Sequence, residues 1–233
     1  MKKLWFTSDL HLNQKNIIKN ISPWESRHSL RDFEDQNKMS RHIIDKINEN
    51  VRVEDDLFIL GDVYFGKNIN LLQEYMEAIN TRNKHLILGN HDWLIIKNFK
   101  ESRKLFKSIN NYLELNFKFP IPGTDFDKDK WEGRAHITLC HYAMRVWNRS
   151  HKGSWMLYGH SHSSLDDLNL RNNQESEYKI NQYYTNTKTM DVGIDNAFKV
   201  LGEYRPFSFD EIYDIFEKRE NLVIDHHDKK TED

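Results

Sequence analysis

Five apolar runs in this sequence stop abruptly at side chains able to bind a metal, and no other feature constrains the fold as tightly. Leu86-Ile87-Leu88 ends at Gly89 and is followed at once by Asn90, His91 and Asp92. Phe6-Thr7-Ser8 leads into Asp9-Leu10-His11, and Leu57-Phe58-Ile59-Leu60 into Gly61-Asp62. Ile137-Thr138-Leu139-Cys140 leads into His141, and Trp155-Met156-Leu157-Tyr158 into Gly159-His160-Ser161-His162. Short apolar runs bounded by glycine read as buried strands. Sites in α/β proteins form where such strands end, at the carboxyl edge of the sheet.

The rest of the first half fits that frame. Residues 3–8, 56–60 and 84–88 read as strands. Between them, residues 32–50 read as a helix through Met39, Ile43 and Ile47, with Val51 continuing the spacing. Asn68 caps a second helix with an inner face of Leu72, Tyr75, Met76 and Ile79. Strand, helix, strand, helix, strand implies parallel crossovers. In the second half, Leu113, Leu115, Phe117 and Phe119 alternate, as in a strand buried on one face, and the prolines at 120 and 122 end it. Residues 124–133 and 163–188 read as polar loops, the latter leaving directly from His162, and 189–194 as a short strand. Ser208 and Glu211 form a capping box for a helix that buries Phe209, Ile212 and Phe216. No linker divides the chain, so residues 1–224 read as one domain and 225–233 as a charged, frayed tail containing His226 and His227.

Charge and length bound the function. The formal net charge of -2 gives no overall basic field to attract nucleic acid. The run after Met1 breaks at Ser8-Asp9, too short for an export segment, and no run reaches the length of a membrane span. A cytoplasmic protein without membrane attachment is the expectation. The single cysteine, Cys140, permits no internal disulfide and reads as a buried strand thiol.

The strand ends together offer Asp9, His11, Asp62, Asn90, His91, His141, His160 and His162. Each motif alone is ordinary: a Gly-Asp pair is usually a turn, and a His-x-His a surface pair. Their conjunction points to metal. Carboxylate, amide and imidazole donors suit manganese, iron, zinc or nickel. They are too many for one ion and about enough for two, provided that one carboxylate bridges. A bridged pair suits in-line displacement at phosphorus. In Asp9-Leu10-His11 and His160-Ser161-His162 the paired donors share one side of an extended segment. Gly61, Gly89 and Gly159 precede ligands, where glycine permits sharp turns and close backbone approach.

Ordered in this way, the motifs resemble the calcineurin-like metallophosphoesterases, whose blocks are Asp-x-His, Gly-Asp, Gly-Asn-His-Asp/Glu, a lone His and Gly-His-x-His. The segments Asp191-Val192-Gly193-Ile194-Asp195 and Tyr204-Arg205-Pro206 are similar to the ends of small bacterial and phage members. The resemblance implies an α/β fold, a four-layer sandwich of two packed mixed β-sheets flanked by helices. It implies one ion on Asp9, His11 and His162, a second on Asn90, His141 and His160, and Asp62 bridging them. His91 would bind no metal but stabilise charge or protonate the leaving oxygen, with Asn90 beside it at the phosphoryl group. The implied activity is a metal-dependent phosphohydrolase using two divalent ions, manganese first, in which a metal-bridging hydroxide attacks in line. Its substrate would be a phosphodiester or a small nucleotide-like phosphoester. A nuclease and a non-catalytic binding scaffold are the alternatives, and a homodimer is one option for the assembly.

This chain departs from the protein phosphatases of the family. Val63-Tyr64-Phe65-Gly66 follows Gly61-Asp62 where those enzymes carry an Asp-Arg pair. Arg145 is the first candidate to contact phosphate in its place, against an ordinary surface arginine. Tyr64, Phe65, Trp93 and Trp147 flank the motifs and read as core or, alternatively, as a wall stacking a nucleobase or aryl group. Asp92 reads as the cap of the next helix, with orientation of His91 the second option.

Overall fold

A computed structural model of the chain describes residues 2–21, 29–119, 133–165 and 187–219. In chain order these form β1 (Leu4–Thr7), α1 (Gln36–Asn50), β2 (Asp56–Ile59), α2 (Ile69–Ala78), β3 (Asn83–Ile87), α3 (Trp93–Lys97), α4 (Phe99–Ser102) and β4 (Ser108–Asn110). There follow β5 (Tyr112–Lys118), β6 (Arg134–Cys140), a 3-10 turn at Ser150–Lys152, β7 (Trp155–Tyr158) and β8 (Thr189–Asp191). The described chain closes with α5 (Ile194–Leu201), β9 (Phe207–Ser208) and α6 (Phe209–Phe216).

The strands make two mixed sheets, ordered β4-β3-β2-β1-β9 and β5-β6-β7-β8. In the first, β1 to β4 are parallel and β9 antiparallel; in the second, β6 to β8 are parallel and β5 antiparallel. The parallel core of each sheet aligns strand carboxyl ends, which brings all five motifs to one rim of the sandwich. Just beyond the strands, Ser8 bridges to Gly193, tying the two sheets together there, and Leu12 bridges to Tyr64, extending the pairing of β1 with β2.

Burial on both faces explains the unbroken apolar runs. Trp5, Leu57, Ile59 and Leu86 pack toward the helices, against Met39, Ile43, Ile47, Leu72 and Met76. Phe6, Phe58, Leu60 and Ile87, with Phe207 of β9, point the other way, against Ile137, Leu139, Leu157 and Met190 of the second sheet. Each such side chain fully buried contributes about 1.5–3 kcal/mol. The outer face of β6 and β7 carries a third cluster of Cys140, Trp147, Met156 and Tyr158. Along β5 the residues alternate between exposed and half-buried, as its sequence predicts.

Several elements differ from the sequence expectation. The first helix starts at Gln36 rather than near 32, because the Asp35 carboxylate accepts from the Asn37 and Lys38 N–H groups and caps it there. The strand expected over 189–194 ends at Asp191, and Ile194 already belongs to α5. The helix that follows Asp92 is α3, whereas α4, β4, α5 and β9 have no counterpart in the sequence expectation. Asn68 and the Ser208–Glu211 box cap α2 and α6 as read. The readings on 120–132, on 166–186 within the expected 163–188 loop, and on the 225–233 tail with His226 and His227 lie outside the described residues.

Candidate metal centre

Two donor clusters face each other at the rim. The ligand atoms of Asp9, His11 and His162 lie within 4.8 Å of one another, as do those of Asp62, His141 and His160. Asp62 stands between them: its Oδ2 is 3.7 Å from His11 Nε2 and 3.6 Å from His141 Nε2. Its other oxygen accepts the His91 backbone N–H at 2.9 Å. Asn90 turns Oδ1 to within 3.1 Å of His141 Nε2. The His91 ring centroid is 5.7 Å from that of His11. Every donor nominated from the sequence is therefore at one place. Arg145 is exposed and belongs to neither cluster.

The local backbone is unusual for a reason. Asp9, His11, Asp62, His160 and His162 all have positive φ, between 47° and 65°. That region is costly for residues with a Cβ and persists only where surroundings hold it. Here Asp9 N–H donates to Gly61 O at 3.0 Å and His11 N–H to Asp62 O at 2.9 Å. His160 N–H donates to Asp9 Oδ2 at 2.9 Å. Gly61 needs its glycine for a φ of 91°, whereas Gly159 needs it for space, since a Cβ there would overlap Ser8 and Asp9.

Proton positions favour a cation. His141 Nδ1 is 2.6 Å from the Leu60 carbonyl, which can only accept, so Nδ1 carries a proton, and in the neutral ring Nε2 is left with a lone pair. That lone pair, the Asn90 amide oxygen and Asp62 Oδ2 then converge as acceptors. In the other cluster, Asp9 Oδ1 and both His11 ring nitrogens are buried with no hydrogen-bond partner. Burial lowers the His11 pKa and keeps the ring neutral. Burial opposes charge on His162 as well, but the Asp195 hydrogen bond and the nearby Asp9 carboxylate raise its pKa to about 9. Unpartnered buried polar atoms are costly, and a divalent ion between Asp9 Oδ1 and the lone-pair nitrogen of His11 would satisfy both. Nitrogen and oxygen donors in this mixture fit first-row ions.

The sequence profile of the family described as "Calcineurin-like phosphoesterase" matches residues 2–228. The chain belongs to that family. As a calcineurin-like phosphoesterase it is similar to the "Gene 66 protein" of Mycobacterium phage D29, at 24% identity over 84% of this chain and 89% of the relative. It is 26% identical to "Uncharacterized protein MJ1445" of Methanocaldococcus jannaschii, over 94% of this chain and 93% of the relative. In fold it is similar to the crystal structure of a protein of unknown function, AQ665 from Aquifex aeolicus. That likeness has a TM-score of 0.55 at 17% identity and covers 93% of this chain and all of the other. Family and donor clusters together support a metal-dependent phosphoesterase.

Four buried residues complete the centre of this phosphoesterase, and their roles were not read from sequence. Asp92 makes no side-chain cap on α3, which corrects the capping expectation. Its carboxylate instead accepts N–H groups of Gly89, Asp62 and Val63 at 2.8, 3.0 and 3.0 Å, clamping two strand ends together. Burial pushes its pKa up to about 6 despite those bonds. Asp191 clamps the His160–Ser161–His162 turn, accepting from Ser161 Oγ at 2.5 Å, Ser163 N–H at 2.8 Å and Gly193 N–H at 2.7 Å. The third and fourth are Arg31 and Asp195, which are bonded to each other. Asp191 and Asp195 stood in a segment already singled out by its likeness to family ends; nothing local marked Arg31.

The flanking aromatics divide. Tyr64 and Trp147 are core residues, while Phe65 and Trp93 are 40% and 43% exposed. The Phe65 ring lies 5.4 Å from His91. Tyr142, unnoticed in the sequence, is also exposed and sits 5.0 and 4.9 Å from the His141 and His160 rings.

Proposed function

We propose that residues 1–224 form a single phosphoesterase domain that uses two divalent ions to cleave a phosphodiester or a small nucleotide-like phosphoester. Asp9, His11 and His162 hold one ion, Asn90, His141 and His160 the other, and Asp62 bridges. The observation that carries the reading is the single Asp62 oxygen facing one histidine of each cluster at 3.7 and 3.6 Å. Manganese is the first choice of ion, with iron, nickel and zinc as alternatives; when bound, such ions neutralise phosphoryl oxygens and lower the pKa of water.

His91 does the proton work. Its backbone is pinned to Asp62 Oδ1, and its half-buried ring stands beside the His11 cluster rather than in it. That placement leaves an imidazole free to protonate the leaving oxygen. Asn90 orients the phosphoryl group next to it. Phe65, edge-on to His91, shields that side from water. Arg145, outside both clusters, is assigned to the substrate rather than to the ions. The stretch Val63-Tyr64-Phe65-Gly66, of which Val63 and Tyr64 are buried, stands in place of the protein phosphatases' Asp-Arg pair, which directs the reading away from phosphoprotein substrates.

The test is hydrolysis of an activated aryl phosphodiester and an aryl monoester by the protein loaded with manganese, nickel or zinc. Turnover of the diester is expected. His91→Ala is expected to lower kcat by about 10²–10⁴-fold with metal content unchanged. Metal-loaded protein that hydrolyses neither ester would overturn the reading.

A further inference from the structure

The structure assigns Arg31 and Asp195 a joint role as positioning residues for one of the two ion sites, Asp9–His11–His162, and for that site alone. The inference rests on the two-ion reading above.

Arg31 is fully buried. Its Nη2 donates to the Asp9 carbonyl at 2.5 Å and its Nη1 to the Leu10 carbonyl at 2.9 Å. Nε and Nη2 also grip Asp195 in a fork, at 2.8 Å to Oδ1 and 2.9 Å to Oδ2. Asp195 Oδ2 is in turn 2.7 Å from His162 Nδ1. One guanidinium thus holds one ligand of the cluster, Asp9, directly and a second, His162, through Asp195, and grips the carbonyl of Leu10 between Asp9 and His11. It fixes the left-handed backbone at Asp9, the residue before His11, and, through Asp195, the ring of His162. Among the described residues, no hydrogen bond joins Arg31 or Asp195 to Asp62, Asn90, His141 or His160. That cluster hangs on other groups, the Asp92 carboxylate and the Leu60 carbonyl.

The chemistry makes the pair more than packing. A carboxylate that accepts from Nδ1 fixes the tautomer of a ligating histidine and makes Nε2 a stronger donor. Asp195 also neutralises Arg31, a permanent buried charge next to a cation site. Removing the carboxylate leaves that charge uncompensated, and in a poorly screened interior it repels an incoming ion. The planar fork is likewise specific: a lysine keeps the charge but cannot hold two carbonyls and a carboxylate at once.

The experiment is a Mn²⁺ titration of the full chain, read by equilibrium dialysis and low-temperature electron paramagnetic resonance. Wild type is expected to bind a pair of ions with an exchange-coupled spectrum. Asp195→Asn should keep one ion at wild-type affinity and bind the other about 10–100-fold more weakly, its coupled signal giving way to a single-ion spectrum. Arg31→Lys should move in the same direction. A merely structural defect would weaken both ions together, so a folded variant that loses both overturns the inference. So does unchanged affinity for both. If Asp195→Asn fails to fold, Asp195→Glu, which keeps the charge but lengthens the arm, is judged on the same readouts. Wild type that binds no ion pair would sink the two-ion reading itself, whereas pairs in wild type and variants alike would sink only this inference.

Discussion

Asp55 and Asp92 are both fully buried aspartates that accept backbone N–H groups, yet the sequence distinguishes neither from a surface turn. Most of their donors come from elsewhere in the chain, and only Gly89 and Arg52 are local. Asp92 draws on Asp62 and Val63, and Asp55 on Lys3 N–H at 2.8 Å, Arg52 N–H at 3.0 Å and Trp5 Nε1 at 3.0 Å. Burial pushes the Asp55 carboxyl up, but these hydrogen bonds outweigh it and hold the pKa below the ordinary value. A depressed carboxyl contributes stability that is present above its unfolded pKa of about 3.9 and is lost as pH falls through the lower folded value. Urea denaturation from pH 7 down to pH 3 should therefore show Asp55→Asn less stable than wild type by a constant amount at neutral pH. The gap should narrow on the acid limb. A gap that widens below pH 4 would contradict the assignment. Arg31 shows the same limit of local reading: its partner Asp195 lies 164 residues away, and nothing beside it in sequence announces burial.

Elements were legible where local chemistry and burial agree. The runs of β1, β2, β3, β6 and β7 are apolar because both faces are covered, and each ends in a donor that its sheet edge exposes. Asn68 and Ser208 marked helix starts because the capping geometry is local. Misreadings fell where it is not. Met190, Val192 and Ile194 alternate like a strand, but Asp191 accepts the Gly193 N–H, the chain turns there, and Ile194 opens α5. β9 is two residues long and exists only because β1 offers an edge. At the start of α6, Ser208 Oγ accepts the Glu211 N–H at 3.2 Å and Ser208 N–H donates back to Glu211 at 2.8 Å. Arg205 further fixes Glu211. Ser208→Ala should cost about 1 kcal/mol in chemical denaturation without changing metal content. A change in metal stoichiometry would show that α6 is coupled to the centre in a way its position does not explain.

At the scale of the molecule, two sheets with aligned parallel cores put five strand ends on one rim, and the ion-binding potential follows from that convergence. Spacing alone announces the donors but not their partition, which only the family resemblance implies, because partition depends on which strand end faces which across the sandwich. Asp92 supports the strand ends that carry Asp62 and Gly89 and Asp195 the ring of His162, while Asp191 holds the turn that supplies one histidine to each cluster. No described helix is long and apolar enough to cross a membrane, and the net charge of -2 supplies no field for a polyanion. The most direct test is anomalous diffraction from crystals grown with Mn²⁺. Two peaks about 3.5–4 Å apart are predicted, one within reach of Asp9, His11 and His162, the other of Asn90, His141 and His160, with Asp62 touching both. A single peak, or a pair that Asp62 does not join, would contradict the account.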